Sequence, residues 1–171
     1  MNIHFRKLNP ADVQLYRQIR LEALKNYPEH FGSSYEEESA SPKLGFEINI
    51  EMQADNKFVI GAFDDEKLIG ICGFAQETRL KVKHRGLIIQ MYIQPQYQGQ
   101  KLSLQLLQAT VNQAFQLPDV EQIVLGVITS NLAAAKIYAQ AGFKEFGTHP
   151  AYLKIGNKYF DERLMVLHKQ T

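Results

Sequence analysis

The feature that most limits the fold of this chain is a strand pattern that passes through a polar loop straight into a helix pattern. Residues 87–93 are mostly apolar, and Pro95 ends that run. After the loop 98–103, apolar residues recur at helical spacing, at Leu104, Leu107, Val111 and Ala114. A helix N-terminus presents unpaired backbone N–H groups and a partial positive charge, so this loop predicts a binding site for an anion such as a phosphate.

Strand and helix patterns alternate along the rest of the chain, with no internal repeat and no low-complexity linker. The predicted helices are residues 12–25, 104–114 and 131–141, and the predicted strands are residues 3–8, 58–63, 68–78, 87–93, 123–129, 143–146, 151–155 and 159–167. Residues 34–51 predict one or two short helices, broken at Ser41-Pro42 and at Gly45. This order predicts an α/β sandwich with a mixed sheet.

Composition indicates a globular protein of one domain, residues 1–171. The hydrophobic fraction of 45% and the charged fraction of 22% are ordinary. A net charge of +1 provides no field that would hold nucleic acid or an anionic membrane. The single cysteine, Cys72, cannot form an intramolecular disulfide and is expected to be a buried strand thiol. Because no apolar run resembles a signal peptide or a membrane span, we expect a cytoplasmic location.

A second motif lies in the predicted helix 131–141 and the two residues after it. The pattern Asn-x-x-Ala-x-x-x-Tyr-x-x-x-Gly-Phe is met at each position, by Asn131, Ala134, Tyr138, Gly142 and Phe143. In the earlier loop, Gln98 and Ser103 fit the pattern Gln/Arg-x-x-Gly-x-Gly/Ala. Together the two motifs resemble the GNAT superfamily of acyl-CoA-dependent N-acetyltransferases. The order of helices and strands also matches, so the resemblance covers nearly the whole chain.

The resemblance implies a mixed sheet of about seven strands flanked by about four helices, with the central parallel strands splayed for the cofactor. It implies acetyl-CoA as cosubstrate, with its pyrophosphate on the loop amides and its pantetheine arm along the backbone of the central strand. No metal is implied. The cofactor-binding residues expected from the resemblance are Met91, Tyr92, Ile93, Gln98, Gly99, Gln100, Lys101, Leu102, Ser103 and Asn131.

Lys101 departs from the family pattern, which has glycine at this position. Glycine lets the backbone approach a phosphate closely and tolerates any φ. A positive φ at Lys101 would cost about 1–2 kcal/mol. A residue that enters a right-handed helix need not have a positive φ, so we expect its amide to remain able to donate. The ammonium group either contacts a phosphate or lies on the surface.

Tyr138 is the expected catalytic residue. It lies seven residues, two helical turns, after Asn131, so the two side chains share a helix face with small alanines between them. In the family, the asparagine contacts the cofactor and the tyrosine hydroxyl faces the thioester sulfur. Transfer to an amine expels a thiolate, and a nearby hydroxyl donor helps it to leave. Asn131 is also expected to cap the helix.

No general base is assigned from the sequence. The family often places a glutamate on one of the two central strands, but the corresponding positions here are Leu87 and Gly126. His84 lies too far along its strand. The remaining alternatives are a water relay or a carboxylate on the acceptor side, from Glu37, Glu38 or Glu77.

Three charged or polar segments have both surface and functional interpretations. Basic residues 79–85 form a hairpin tip, and their alternation with Leu80 and Val82 favours a strand with one wet face over a nucleic-acid groove. The acidic segment 35–38 is either solvated surface or a wall that attracts a cationic amine. Residues 159–162 resemble the closing strand of the family, which serves the fold or a dimer edge.

The sequence thus predicts an N-acetyltransferase that transfers acetyl from acetyl-CoA to a primary amine by direct attack in a ternary complex. The amine acceptor is a small molecule or a protein amine, and a homodimer is an option that family resemblance leaves open. The first alternative is a noncatalytic acyl-CoA-binding module, suggested by Lys101 and the missing strand glutamate. A nucleic-acid binder that uses the basic hairpin is disfavoured by the net charge.

Overall fold

A computed structural model, which describes residues 1–170, shows one mixed seven-stranded sheet in the order β1-β2-β3-β4-β5-β7-β6. Its strands are β1 (Ile3–Lys7), β2 (Lys57–Asp64), β3 (Lys67–Gln76), β4 (Arg85–Ile93), β5 (Gln122–Ile128), β6 (Lys144–Ile155) and β7 (Lys158–His168). Neighbouring strands are antiparallel except β4 and β5, which are parallel. The predicted mixed α/β sheet is confirmed.

Residues 1–170 contain five α-helices, where about four were expected. They are α1 (Val13–Asn26), α2 (Tyr35–Ala40), α3 (Gly45–Glu51), α4 (Leu102–Phe115) and α5 (Leu132–Gln140). The segment 34–51 forms two short helices separated at Ser41-Pro42, and Gly45 begins the second helix instead of interrupting one. None of the described helices is long and apolar enough to cross a membrane.

The core consists of two apolar layers, one on each face of the sheet. On one face, α4 and α5 pack Leu106, Leu107 and Tyr138 against Leu125 and Val127 of β5. On the other face, α1 and α3 pack Tyr16, Ile19, Phe46 and Ile50. The alternation of side chains along the central strands supplies both layers, as expected for a sheet covered on both faces.

Cys72 lies fully buried in the layer below α4, as the sequence predicted. Burial raises the pKa of its thiol to about 12, and a hydrogen bond with Thr110 opposes this rise only in part. A thiol with so high a pKa is almost entirely protonated near neutral pH and is a poor nucleophile.

The central strands β4 and β5 pair only at their beginnings. Arg85, Gly86 and Leu87 lie opposite Gln122, Ile123 and Val124, and no further pair follows. Beyond this point β4 continues along β3 as far as Ile93, whereas β5 continues along β7 as far as Ile128. The predicted splay of the two strands is confirmed, and it leaves the backbone of each strand open toward a shared gap.

A bulge in β4 accompanies the splay. The β3–β4 register shifts between Ile71 and Gly73, and Gln90 of β4 has a φ of +60°. The Tyr16 hydroxyl donates a 2.7 Å hydrogen bond to Gln90 Oε1 and so holds the bulge from α1. Bulges bend a strand and increase its local twist, which turns the end of β4 away from β5.

The prediction of a strand at residues 79–83 is wrong. These residues form a series of turns, in which Val82 N–H donates to the Arg79 carbonyl and Arg85 N–H donates to the Val82 carbonyl. The alternation of charged and apolar side chains therefore reflects an exposed hairpin tip, in which Leu80 is 85% exposed. Lys83 forms an ion pair with Asp119 at 3.1 Å.

Candidate active site

A cavity of about 580 Å³ opens where β4 and β5 diverge. The N-terminal end of α4 and the helix α5 border it on one side of the sheet, and the segment after α1 and the β6–β7 hairpin border it on the other. The gap therefore connects the two faces of the sheet.

Most of the residues expected to contact a cofactor line this cavity, and so does Tyr138. The lining residues of that expected set are Met91, Tyr92, Ile93, Gln98, Gly99, Ser103 and Asn131. Gln100, Lys101 and Leu102 do not line it. Leu102 belongs to the core beneath α4 and is 5% exposed, so only its backbone is available to a ligand.

The loop before α4 is fixed to the open edge of β4. Gln98 Nε2 donates a 3.0 Å hydrogen bond to the Ile93 carbonyl, and Gly99 has a φ of +79°. At the start of α4, the backbone N–H groups of residues 102–104 donate to no acceptor within residues 1–170, whereas the Gln105 N–H bonds the Lys101 carbonyl. Unpaired amides at a helix N-terminus favour an anion.

The sequence left open whether Lys101 has a positive φ, and the structure shows that it does. Lys101 is the N-cap residue of α4 and has φ +61° and ψ +7°, in the left-handed region. Gly99, two residues earlier, also has a positive φ, of +79°. The exposed lysine therefore occupies a conformation that costs about 1–2 kcal/mol for a residue with a Cβ.

Asn131 and Tyr138 both face the cavity from α5. The Asn131 side chain accepts a 3.2 Å hydrogen bond from the Ala134 N–H, which makes it the N-cap of the helix. Tyr138 is 7% exposed and contacts Phe143 edge to face, with ring centroids 6.2 Å apart. Burial raises the pKa of the Tyr138 hydroxyl, and a charge on Cys72 would raise it further. The hydroxyl therefore keeps its proton near neutral pH and is available as a donor.

The α1 side of the cavity contains aromatic and cationic residues that the sequence did not indicate. They are Arg20, Tyr27, His30, Phe31 and Tyr152. Arg20 is 3% exposed, lies 5.1 Å from the Phe31 ring and forms an ion pair with Glu38 at 3.1 Å. These residues come from α1, the segment after it and β6, which only the tertiary fold brings together.

Glu162 is the one carboxylate that lines the cavity among residues 1–170. Glu37, Glu38 and Glu77, the carboxylates considered from the sequence, do not line it, and Glu38 is paired with Arg20. Partial burial raises the pKa of Glu162, and the nearby His149 lowers it to a smaller extent. The closing strand thus has a contact with the cavity in addition to its place in the sheet.

The described residues contain no cluster of three or more His, Cys, Asp or Glu side chains placed to hold a metal ion. The polar groups of the cavity are instead the backbone edges of β4 and β5, the amides at the start of α4, and a few side chains. Such an arrangement is suited to an elongated ligand with amide groups along its length and an anionic group at one end.

Comparison with known proteins gives a family match over most of the chain. The model of the acetyltransferase (GNAT) family matches residues 15–143. Among solved structures, a GNAT-family acetyltransferase from Streptococcus pneumoniae is 24% identical, with a TM-score of 0.81 over 98% of this chain and 100% of that chain.

Two further structural neighbours were solved with ligands. A Salmonella typhimurium protein with its cofactor acetyl-CoA is 17% identical, with a TM-score of 0.79 over 97% of this chain and 93% of that chain. Arabidopsis thaliana NAA60, in complex with a bisubstrate analogue, is 19% identical, with a TM-score of 0.74 over 98% of each chain. The fold is shared with all three neighbours, and the family match covers well over half of the sequence, so the chain belongs to the acetyltransferase (GNAT) family.

Proposed function

We propose that this acetyltransferase moves an acetyl group from acetyl-CoA to a primary amine, within one domain formed by residues 1–171. The observation that carries the proposal is the gap between β4 and β5, which joins the unpaired amides of α4 to the buried hydroxyl of Tyr138. The neighbour solved with acetyl-CoA supports this choice of cosubstrate.

The residues of the gap fit the parts of acetyl-CoA. The amides at residues 102–104 and the flexible backbone at Gly99 suit the pyrophosphate. The open edge of β4 at residues 91–93 suits the amide groups of the pantetheine arm, because strand backbone offers alternating donors and acceptors. Asn131 lines the gap, where it would contact the arm, and its side chain caps the start of α5.

Direct attack by the amine is favoured over a covalent acyl-enzyme. Cys72 is the only cysteine of the chain, is fully buried and has a pKa raised to about 12 by burial. It does not line the cavity, so it is not placed to receive an acetyl group. Bound acetyl-CoA supplies an activated thioester, and Tyr138 donates its hydroxyl proton to the sulfur that departs.

The amine enters from the α1 side of the gap. That side carries the aromatic residues Tyr27, Phe31 and Tyr152 and the carboxylate Glu162. Aromatic faces and a carboxylate both stabilise an ammonium group. The bisubstrate analogue bound by Arabidopsis thaliana NAA60 is consistent with two substrates that meet in one site of this fold.

Initial-rate measurements with acetyl-CoA and an active amine test this order of events. Direct attack in a ternary complex predicts reciprocal plots that intersect as the second substrate is varied. Parallel plots, or an acetylated enzyme detected by mass spectrometry without amine, would show a covalent intermediate. Tight acetyl-CoA binding without turnover on any amine would favour the noncatalytic binding module. That alternative is suggested by Lys101 in place of glycine and by the missing strand glutamate.

A further inference from the structure

The Glu162 carboxylate fills a space that Gly126 leaves empty. In the antiparallel β5–β7 pair, Gly126 lies opposite Leu164 and Ile128 lies opposite Glu162, so all four residues project from the same face. A Cβ placed on Gly126 would be 2.9 Å from Glu162 Cγ and closer still to the carboxyl group. The side chain of Glu162 therefore crosses over β5 and lies above Gly126.

This position is on the acceptor side of the gap. Leu125 and Val127, the neighbours of Gly126 in β5, point to the opposite face and pack in the same layer as Tyr138. The carboxylate of Glu162 and the hydroxyl of Tyr138 thus line one cavity from opposite faces of the sheet. Acetyl transfer needs two proton transfers, one from the amine that attacks and one to the sulfur that leaves. A carboxylate and a hydroxyl on opposite sides of a thioester would serve the amine and the sulfur, respectively.

The other carboxylates near the gap are already engaged. Glu38 forms its ion pair with Arg20, and Glu22 accepts hydrogen bonds from Tyr92 and Gln94 at 2.7 and 3.0 Å. Among residues 1–170 the Glu162 carboxylate forms no hydrogen bond and no ion pair, and His149 lies opposite it in the β6–β7 pair. It is therefore available to a group that enters the cavity.

We propose that Glu162 is the general base of the reaction, an inference that rests on the function proposed above. Glu162 accepts one proton from the acceptor ammonium, and the neutral nitrogen forms its bond to the acetyl carbon as the C–S bond breaks. Tyr138 protonates the departing sulfur and then takes a proton back from solvent. The attacking nitrogen releases its second proton to solvent. The proton held by Glu162 then leaves to solvent, so the net reaction releases one proton.

The titratable and charged groups around Glu162 set the conditions for this step. His149 and Tyr152 lie on β6, and burial raises the pKa of Tyr152, with a smaller contribution from the negative charge of Glu162. Arg20, Tyr27, His30 and Tyr138 line the same cavity from α1, the segment after it and α5. Burial raises the pKa of Glu162, which makes its carboxylate a stronger proton acceptor than an exposed one.

The test compares Glu162→Gln with wild type in a thiol-release assay on the best amine of a panel, across pH. We expect kcat/KM to fall about 10²-fold or more where Glu162 is ionised. The ratio of the wild-type rate to the variant rate should shrink as pH falls through the Glu162 pKa. Glu145→Gln is the matched control, because Glu145 lies on the adjacent β6, pairs with Arg163 at 3.1 Å and does not line the cavity.

A rescue variant distinguishes a role of Glu162 as general base from a purely structural role. The three atoms nearest to a Cβ on Gly126 all belong to Glu162, so Gly126→Asp combined with Glu162→Ala places a carboxylate in the same space from the other strand. We expect this double variant to be at least tenfold more active than the Glu162→Ala single variant. Acetyl-CoA affinity should stay within about threefold in all variants.

Each outcome separates the two proposals. A wild type that turns over, together with a Glu162→Gln variant of equal rate and unchanged pH profile, overturns the role of Glu162 alone. A wild type without turnover on any amine overturns the transferase function and the base with it. A Glu162→Gln variant that loses activity equally at every pH, together with a Gly126→Asp/Glu162→Ala double variant no more active than Glu162→Ala, shows a structural role and also overturns the proposal.

Discussion

At the scale of single residues, the site depends on groups whose properties come from burial and backbone conformation. Tyr138 keeps its proton because it is buried in the layer between α5 and β5. Lys101 has a left-handed backbone conformation at a position where the family pattern has glycine. At Tyr138 a substitution can remove the hydroxyl and keep the ring. At Lys101 a substitution can relieve the left-handed backbone or remove the ammonium group.

Substitution of Tyr138 by Phe removes the hydroxyl and keeps the ring. Because the ring still packs on Phe143, the fold and the acetyl-CoA affinity should be preserved. We expect kcat to fall about 10²-fold or more, since the departing thiolate loses its proton donor. Tyr159→Phe is the control, because Tyr159 is 61% exposed on β7 and lies outside the cavity. Equal kcat values for the two variants would exclude Tyr138 as the acid.

Substitution of Lys101 by Gly relieves the left-handed backbone. The cost of φ +61° disappears, while the greater freedom of glycine in the unfolded chain offsets part of the gain. We expect the free energy of unfolding to rise by about 0.5–1 kcal/mol, measured by denaturant titration. Lys101→Ala keeps the strain and should not gain stability.

The same pair of variants tests the lysine ammonium. Because Lys101 is exposed and does not line the cavity, acetyl-CoA should bind Lys101→Ala within about threefold of wild type. A tenfold loss in both variants would show that the ammonium contacts a phosphate.

At the scale of elements, α5 depends on its N-cap. The Asn131 side chain bonds the Ala134 N–H, and replacement by Ala should lower the free energy of unfolding by about 0.5–2 kcal/mol. Asn131→Asp keeps the cap acceptor and should retain most of this stability. If Asn131 also contacts the cofactor through its amide, both variants weaken acetyl-CoA binding, although only the Ala variant loses stability. Calorimetry of binding and thermal unfolding measure the two effects separately.

The elements that the sequence predicted well are those with local signals. The apolar run of β4, Pro95 and the helical spacing of α4 identify the strand-loop-helix unit, and the cap at Asn131 with Gly142 after the helix identifies α5. Each signal lies within a few residues of the structure that it predicts. The charged alternation at residues 79–83 was misleading because the same period of two also occurs in exposed turns.

The part of the site that the sequence did not reveal depends on pairing between distant strands. Glu162 reaches Gly126 only because β5 and β7 pair antiparallel in a register that sets Ile128 opposite Glu162. The absence of a side chain at Gly126 was visible, but which side chain fills its place was not. Lys101 shows the same limit at short range, because the residue types around it do not reveal the positive φ that it adopts.

At the scale of the whole molecule, the splayed sheet opens a gap between its two faces, and we propose that the two substrates meet there. The β4–β5 pairing ends after three residue pairs, and the two core layers continue on either side of the opening. The sheet stays intact because β4 remains paired with β3 and β5 with β7. A cofactor bound in the gap would replace the missing strand contacts, and it should therefore raise the thermal stability of the protein.

The central claim is that the gap is a site of acetyl transfer, and amine-dependent release of CoA thiol tests it most directly. Wild-type protein is incubated with acetyl-CoA and a panel that contains small amines and peptides with free amino groups. We predict thiol release that depends on at least one amine and matches, mole for mole, the acetylated product found by mass spectrometry. Binding of acetyl-CoA without amine-dependent thiol release across the whole panel would contradict the claim.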